Sequence, residues 1–447
     1  MAEGTFLNIE GLGASDFLKR DKAGWKPWLE SSEFVEPEFL GWLGIPVCEF
    51  TAMVMILEKH RNDCSPIVFP DAKYGKTLFS IDLNPEEYTI EKGYPLVAGM
   101  EGISFNQFQD TPWLEGETRV DEAIMEDGAK ELMRIIRQMK KCGKRFIPIP
   151  LGLPEHRNML LVDLEKGIVE RFEPHGGETG TDVISDKLVN KMLGRFFKHY
   201  TDWQYKRPLD MCPKDFKGFQ EIEGWLPDKV VGEAGNFKFV PVGDVDVDVD
   251  DPQQFLDMSI KTGGFCASWS FLYLDARLTN PSYSTEKIYR LGIKNFITQK
   301  QMNKLRANKD YDEFTDEELE AVFYRKLIMQ YSNGVANFLI PALDEILENE
   351  KPKIWEWMQE RDVNSWSFLL WLVLQHNEGV KGKIDVARLQ TQTDEDISYR
   401  WLEGKIYPYI FYRLLENNKT IASGEEIDWD DTKTRAVIYK QFLGKIK

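Results

Sequence analysis

Two apolar, β-branched runs, Met159 to Leu164 and Ile168 to Phe172, are separated only by Glu165, Lys166 and Gly167. A short polar link ending in glycine between such runs is the wording of a β-hairpin. If Glu165 and Lys166 form the turn, Leu164 faces Gly167, Asn158 lies opposite Glu173 and His156 lies opposite His175. Side chains two apart on a strand share a face, so 156, 158, 173 and 175 point the same way, with His156 and Glu173 as diagonal neighbours. The hairpin alone thus brings an imidazole to a carboxylate, the arrangement that fixes a tautomer and stabilises an imidazolium. Without a nucleophile the pair reads as a surface His beside a surface Glu.

The nucleophile candidate is Cys266, in Gly263-Gly264-Phe265-Cys266-Ala267-Ser268-Trp269-Ser270. The stretch that follows is apolar on nearly every side as far as Leu278, and Thr279-Asn280-Pro281 stops it; a helix apolar all round is a buried one. Taken alone, Cys266 is a small hydrophobe on such a helix. In the first turn, however, unpaired N–H groups and the helix dipole favour its thiolate. A cysteine nucleophile also needs a base and a group that orients it, which the hairpin supplies.

Three regions differ in texture. Residues 1–94 are rich in aromatics and proline, with short apolar runs such as Thr51 to Leu57, and predict an irregular N-terminal accessory region. Residues 95–300 alternate helix and strand signals: a helical stripe at Leu132, Ile135, Ile136 and Met139, then a strand-like run from Phe146 to Leu153, then the hairpin. Residues 301–447 predict a helical C-terminal domain, with helices over 315–331, 335–348 and 354–376. The fold class expected is α+β. No period of 20 to 50 residues is visible, which argues against solenoids and propellers.

Taken together these residues resemble a family of cysteine proteases that includes the adenovirus maturation protease and the proteases of SUMO and other ubiquitin-like modifiers. The order there is His, acid, Gln, Cys. Phe172-Glu173-Pro174 is similar to the adenovirus branch. Gly264-Phe265-Cys266-Ala267-Ser268-Trp269, followed by Arg277-Leu278-Thr279-Asn280-Pro281, resembles predicted proteases of large DNA viruses. The resemblance covers about residues 130–285. It implies a papain-like core in which a nucleophile helix packs on a mostly antiparallel sheet. It also implies hydrolysis of peptide or isopeptide bonds by Cys266, with His156 as base and Glu173 as its orienting acid, and no metal or organic cofactor. The substrate implied is a protein, either a viral polyprotein or a ubiquitin-like conjugate.

Two positions depart from the family pattern. Arg157 follows the His where the family usually has Trp, and Ile260 stands where a Gln about six residues before the Cys helps form the oxyanion hole. Gln220, Gln253 and Gln254 are the nearest substitutes. In the large-virus relatives the Gln follows a Cys-Pro segment, which Cys212-Pro213 through Gly218-Phe219-Gln220 matches, so Gln220 is assigned as the donor. These departures keep a rival expectation alive: a catalytically inactive, protease-like virion component that meets other virion proteins through its C-terminal domain.

Composition narrows the partners. The 447 residues carry 56 Lys and Arg against 74 Asp and Glu, a net charge of −18, which disfavours a generally basic nucleic-acid binder. Residues 130–145 are locally basic, with seven cations and one acid. A nucleic-acid partner there follows only from the resemblance, since the adenovirus relative uses DNA as a cofactor; no aromatic interleaving accompanies the charge. The five cysteines are widely spaced with no C-x-x-C pair, so reduced thiols are expected. No run approaches the ~18 apolar residues of a membrane span, and Met1 to Gly13 has no signal-peptide pattern, which together predict a chain of the cytoplasm, or of the host cytoplasm or virion if viral. Asp244 to Asp251 alternates acids with valines, but an EF-hand loop would need Gly and Glu at Val249 and Phe255. Gly75-Lys76-Thr77 lacks the earlier glycine of a phosphate loop, where Pro70 stands.

Overall fold

The computed structural model describes residues 46–60, 97–99, 102–104, 145–153, 156–177, parts of 189–220, 265–289, 303, 306–307, 314–361, 363–376, 386–417, 422 and 424. The predicted helix over 132–142, all of the basic stretch but Arg145, the acidic repeat at 244–251, Gly75-Lys76-Thr77, Ile260, Gln253, Gln254 and Gly263-Gly264 lie outside them.

The expected strands are present. Strands β1 (Val97–Gly99), β2 (Gly102–Ser104), β3 (Phe146–Leu153), β4 (His156–Asp163), β5 (Ile168–Phe172) and β6 (Gln204–Lys206) form one sheet in sequential order. The β1–β2, β3–β4 and β4–β5 pairs are antiparallel, whereas β2–β3 and β5–β6 are parallel. β3 carries Pro148 and Pro150 at positions that β2, which pairs with Leu151 and Gly152, does not reach among the described residues.

The hairpin register is the one expected: Met159 faces Phe172 and Leu160 faces Arg171. Its turn is longer than the two residues expected, spanning Leu164 to Gly167. Asp163 makes this longer turn, its Oδ1 accepting from the N–H groups of Glu165 and Lys166 at 3.2 Å each, and Gly167 closes it at φ +62°. That left-handed backbone suits glycine.

Helix α1 spans Pro46–His60, α2 Pro208–Met211 and α3 Cys266–Thr279. Helices α4 (Asp316–Glu350), α5 (Pro352–Glu360), α6 (Ser365–His376), α7 (Val386–Thr393) and α8 (Tyr399–Asn417) follow. The sheet and the late helices are segregated along the chain, so the class is α+β. Among the described residues no helix is long and apolar enough to cross a membrane.

α3 runs beside β4, as two sets of bonds demonstrate. Near its start Ser270 Oγ donates to the Arg157 carbonyl at 3.3 Å. Near its end Arg277 Nε donates to Glu170 Oε2 at 2.9 Å, and Arg277 Nη2 lies 3.6 Å from Asp163 Oδ2. Between them Phe172 stacks on Tyr273 at 4.1 Å. Every α3 residue from Ala267 to Leu278 is buried, as its all-round apolar sequence predicted.

The structure departs from the sequence reading at three helices. Residues 46–60, expected to be irregular, form α1. Its burial explains the miss: Val47, Cys48, Phe50, Ala52, Val54 and Ile56 are all buried, so no polar face marks a helical period. The helices expected over 315–331 and 335–348 are one, α4. Ser332, between the two expected spans, bonds back to the Ile328 carbonyl (2.9 Å) and across to Ser268 on α3 (2.7 Å). The stretch 354–376 is two helices, parted at residues 361–364.

α1 packs against α3, α4 and α8, so helices from all three regions of the chain touch. Two buried polar pairs hold it. Arg157 Nε donates to Glu49 at 2.7 Å, and His60 Nε2 lies 2.5 Å from Asp275 Oδ1. The residue that departs from the family pattern, Arg157, thus serves as the anchor of α1 on β4.

Asp163 offers a stability test. Burial alone would raise its pKa, but hydrogen bonds from Arg145 and the Lys166 N–H, with the charges of Arg145 and Arg277, hold it below the usual aspartate range. A depressed folded pKa contributes stability that is fully present above the unfolded value near 3.9 and is lost as pH falls through the folded one. Asp163→Asn should therefore cost about 3 kcal/mol at neutral pH in urea unfolding, the size expected for breaking a buried pair. The gap between the two proteins should shrink below about pH 4.

Candidate active site

Glu173 lies immediately after β5 with no exposed surface, and its carboxylate has a donor for each oxygen and more. Oε1 is 2.7 Å from His156 Nε2 and accepts from the His175 N–H at 3.1 Å. Oε2 accepts from Asn158 Nδ2 at 2.8 Å and Arg171 Nη2 at 3.3 Å. Burial by itself would raise the Glu173 pKa, yet the neighbouring His156 charge and hydrogen bond, with Arg171 and His175, bring it well below the ordinary carboxylate range. The acid is ionised at neutral pH.

His156 opens β4. Burial would lower its pKa, but the Glu173 charge, a side-chain hydrogen bond with Cys266 and the bond to Glu173 together raise it well above the histidine norm. With Nε2 on Glu173, Nδ1 is the nitrogen left for the Cys266 thiol. Of the four site residues read from the sequence, His156 and Glu173 are in direct contact, and Cys266 comes close enough from α3 to act on the His156 imidazole.

Cys266 is the first residue of α3 and half-buried. Phe265 precedes it with no side-chain cap, and the first turn holds no acid. The opening N–H groups of the helix consequently point at the thiol's surroundings without a capping oxygen, an environment that favours an anion. The Trp269 N–H begins the helical ladder by donating to the Phe265 carbonyl at 2.8 Å.

Gln220 is seated beside this group. Its N–H donates to the Pro174 carbonyl at 3.1 Å, which ties it to the turn after Glu173. Phe219 next to it stacks on Trp269, one helical turn from Cys266, at 5.0 Å. Gly218 makes the approach sterically feasible: it has φ +100°, and a Cβ there would lie 2.1 Å from the His175 carbonyl carbon. The Gln220 Oε1 is buried without a hydrogen-bond partner.

Two residues in this network were given no role by sequence reasoning. Arg171, wholly buried, donates through Nε to Asn158 Oδ1 at 2.6 Å while its Nη2 reaches Glu173. Asn158 in turn bridges back to Glu173. The available signal was a lone cation inside the strand Ile168-Val169-Glu170-Arg171-Phe172, two positions before Glu173 and so on its face.

The chain matches no family model and no solved structure. It is similar to an ankyrin repeat protein of Acanthamoeba polyphaga mimivirus, 27% identical over 212 residues that cover 45% of this chain. The match spans about a fifth of that relative, 21% of its length.

The reactivity of Cys266 reports this arrangement directly. Glu173→Gln and Arg171→Met should both slow alkylation of Cys266 by iodoacetamide at neutral pH, Glu173→Gln by about tenfold or more, since the thiolate and not the thiol is the nucleophile and the imidazolium beside it would no longer be held. Gly218→Ala should do likewise and also lower the melting temperature, because its backbone is both left-handed and in close contact. Peptide mapping of the alkylated protein identifies the site.

Proposed function

We propose that this chain is a papain-like cysteine protease that cleaves peptide or isopeptide bonds. The observation that carries the reading is the line from Glu173 through His156 to Cys266, with a 2.7 Å bond fixing the imidazole on the acid. An ionised, fully held carboxylate stabilises the imidazolium, and the imidazolium in turn stabilises a thiolate at the uncapped start of α3.

In the mechanism proposed, the Cys266 thiolate attacks the substrate carbonyl carbon, and the developing oxyanion is met by the Cys266 backbone N–H and the Gln220 side-chain amide. His156 then gives its proton to the leaving amine, which departs as the thioester forms. Water, deprotonated by the now neutral His156, attacks the thioester and releases the acid and the thiolate. Asn158 and Arg171 touch none of these reacting atoms; they position Glu173. The substrate classes that fit the family resemblance are a viral polyprotein and a ubiquitin-like conjugate. The mimivirus relative supports a viral setting.

One observation favours a second reading. That relative's name is of an ankyrin repeat protein, and a protein-binding partner of that kind suits an inactive interaction component of a virion. The present chain shows no ankyrin-like period of about 33 residues. A thiol-directed activity probe separates the two readings: an active protease labels Cys266 at neutral pH ahead of the other cysteines, whereas an inactive relative labels it no faster.

Incubation with a peptide library and with ubiquitin-like conjugates should give hydrolysis of one of them. Cys266→Ala should lower that rate by about a thousandfold or more while the fold is retained, as loss of a nucleophile does. Gln220→Ala should cost about 100- to 1,000-fold in kcat, the usual contribution of one oxyanion donor. An unchanged rate in Cys266→Ala would remove the nucleophile and the reading with it.

A further inference from the structure

A cleft of about 450 Å³ opens beside strand β6, within the ~300–1,000 Å³ usual for small-molecule sites. Helical residues 190, 194 and 198 form one wall and the segment 201–207 the other. Lys198 and Arg207 line it with one acid, Asp202, in a protein whose net charge is −18. Lys198 is exposed and has no ion-pair partner among the described residues. Arg207 is bonded to Asp210 through Nε and Nη2 at 3.1 and 2.8 Å, which fixes the direction of its guanidinium. Trp203 and Tyr205 add flat apolar surface, and Phe197 backs Tyr205 in a stacked pair at 6.0 Å.

Two wall residues are bonded to the support of Glu173. Asn190 Oδ1 accepts from the Tyr205 hydroxyl at 2.8 Å and from Arg171 Nη1 at 3.1 Å. The same buried guanidinium donates through Nη2 to Glu173 Oε2 at 3.3 Å. Tyr205, Asn190, Arg171 and Glu173 thus form one line of hydrogen bonds, which Glu173 continues to His156 at 2.7 Å. The Arg171 bond is the longest of those described on the Glu173 carboxylate, and so the one most readily lost.

We propose that this cleft binds a phosphate monoester on a flat ring carrier, as a nucleoside monophosphate presents it, and that the ligand loosens the hold of Arg171 on Glu173. An ammonium and a fixed guanidinium suit a phosphate dianion, and the Trp203 and Tyr205 rings suit a flat carrier. The Tyr205 hydroxyl has one proton to give. A ligand oxygen that takes it removes a donor from Asn190 Oδ1, which then draws more strongly on Arg171 Nη1 and away from the acid. The ligand moves this arrangement only by as much as it prefers one set of bonds to the other. Neither the binding nor its effect on the Glu173–His156 pair rests on the protease reading; a consequent fall in hydrolysis does.

The test titrates the full chain with AMP by calorimetry at about pH 7.5, where the phosphate is mostly a dianion. One AMP per chain should bind, with adenosine and ribose 5-phosphate each at least about fivefold weaker. Lys198→Gln and Arg207→Gln, both at exposed positions, should each weaken AMP by about fivefold while circular dichroism stays unchanged. Labelling the five histidines with ¹⁵N reports the link: saturating AMP should move the His156 ring resonances, assigned by their loss in His156→Gln. In Tyr205→Phe, which keeps the ring, and in Asn190→Ala that movement should fall to less than about half, since each removes one bond of the line. No saturable AMP binding, equal binding of adenosine, or unchanged affinity in both cation variants would overturn the site. AMP binding that leaves His156 unmoved, or moves it equally in Tyr205→Phe, would overturn the link to Glu173. If AMP binds and moves His156 while no substrate is cleaved, this inference stands and the protease reading falls.

Discussion

The candidate site depends on a carboxylate kept charged where no water reaches it. An isolated buried anion would cost several kcal/mol or simply take up a proton. Glu173 avoids both because His156, Asn158, Arg171 and the His175 N–H surround it. Each of these groups is placed by the hairpin register or by the turn after β5. A slip of one residue would turn Glu173, with Arg171 beside it, to the face opposite His156 and Asn158 and leave the acid without those two. The Asp163 turn, which sets that register, therefore contributes to the site from its far end.

The second support is α1. Glu49 takes the guanidinium of the residue after His156, and His60 takes Asp275, midway along α3. One helix is thereby bonded to both the strand that carries the imidazole and the helix that carries the thiol. Their separation is fixed by more than their own packing against each other.

Much of this was readable in the chain because it is written in short periods. The alternation in 156–173 announced two strands, their register and the meeting of His156 with Glu173. The all-round apolar run after Cys266 announced a buried helix. What escaped was non-local. The identity of Arg157 signalled a departure from a familiar pattern, but its partner Glu49 lies 108 positions away, and nothing in either segment names the other. Arg171 was similarly mute, since a cation in a strand declares neither which carboxylate it holds nor that it is wholly buried. α1 was hidden by its own burial, which erased the polar face that marks a helix. Gln220 was found by its wording alone, and its backbone tie to Pro174 could not have been inferred from distance in the chain.

The reach of these pairings bears on when the site comes into being during synthesis. His60 and Asp275 are 215 positions apart, and Phe50 of α1 rests against Tyr407 of α8 at 4.8 Å. α1 must therefore wait for both partners, while chains emerge from the ribosome at about 5–20 residues per second. From residue 266 to residue 407 that leaves about 7 to 28 seconds in which Cys266 and His156 are both made but lack the helix that braces them. A site built in this way is incomplete until nearly all of the described chain has been made.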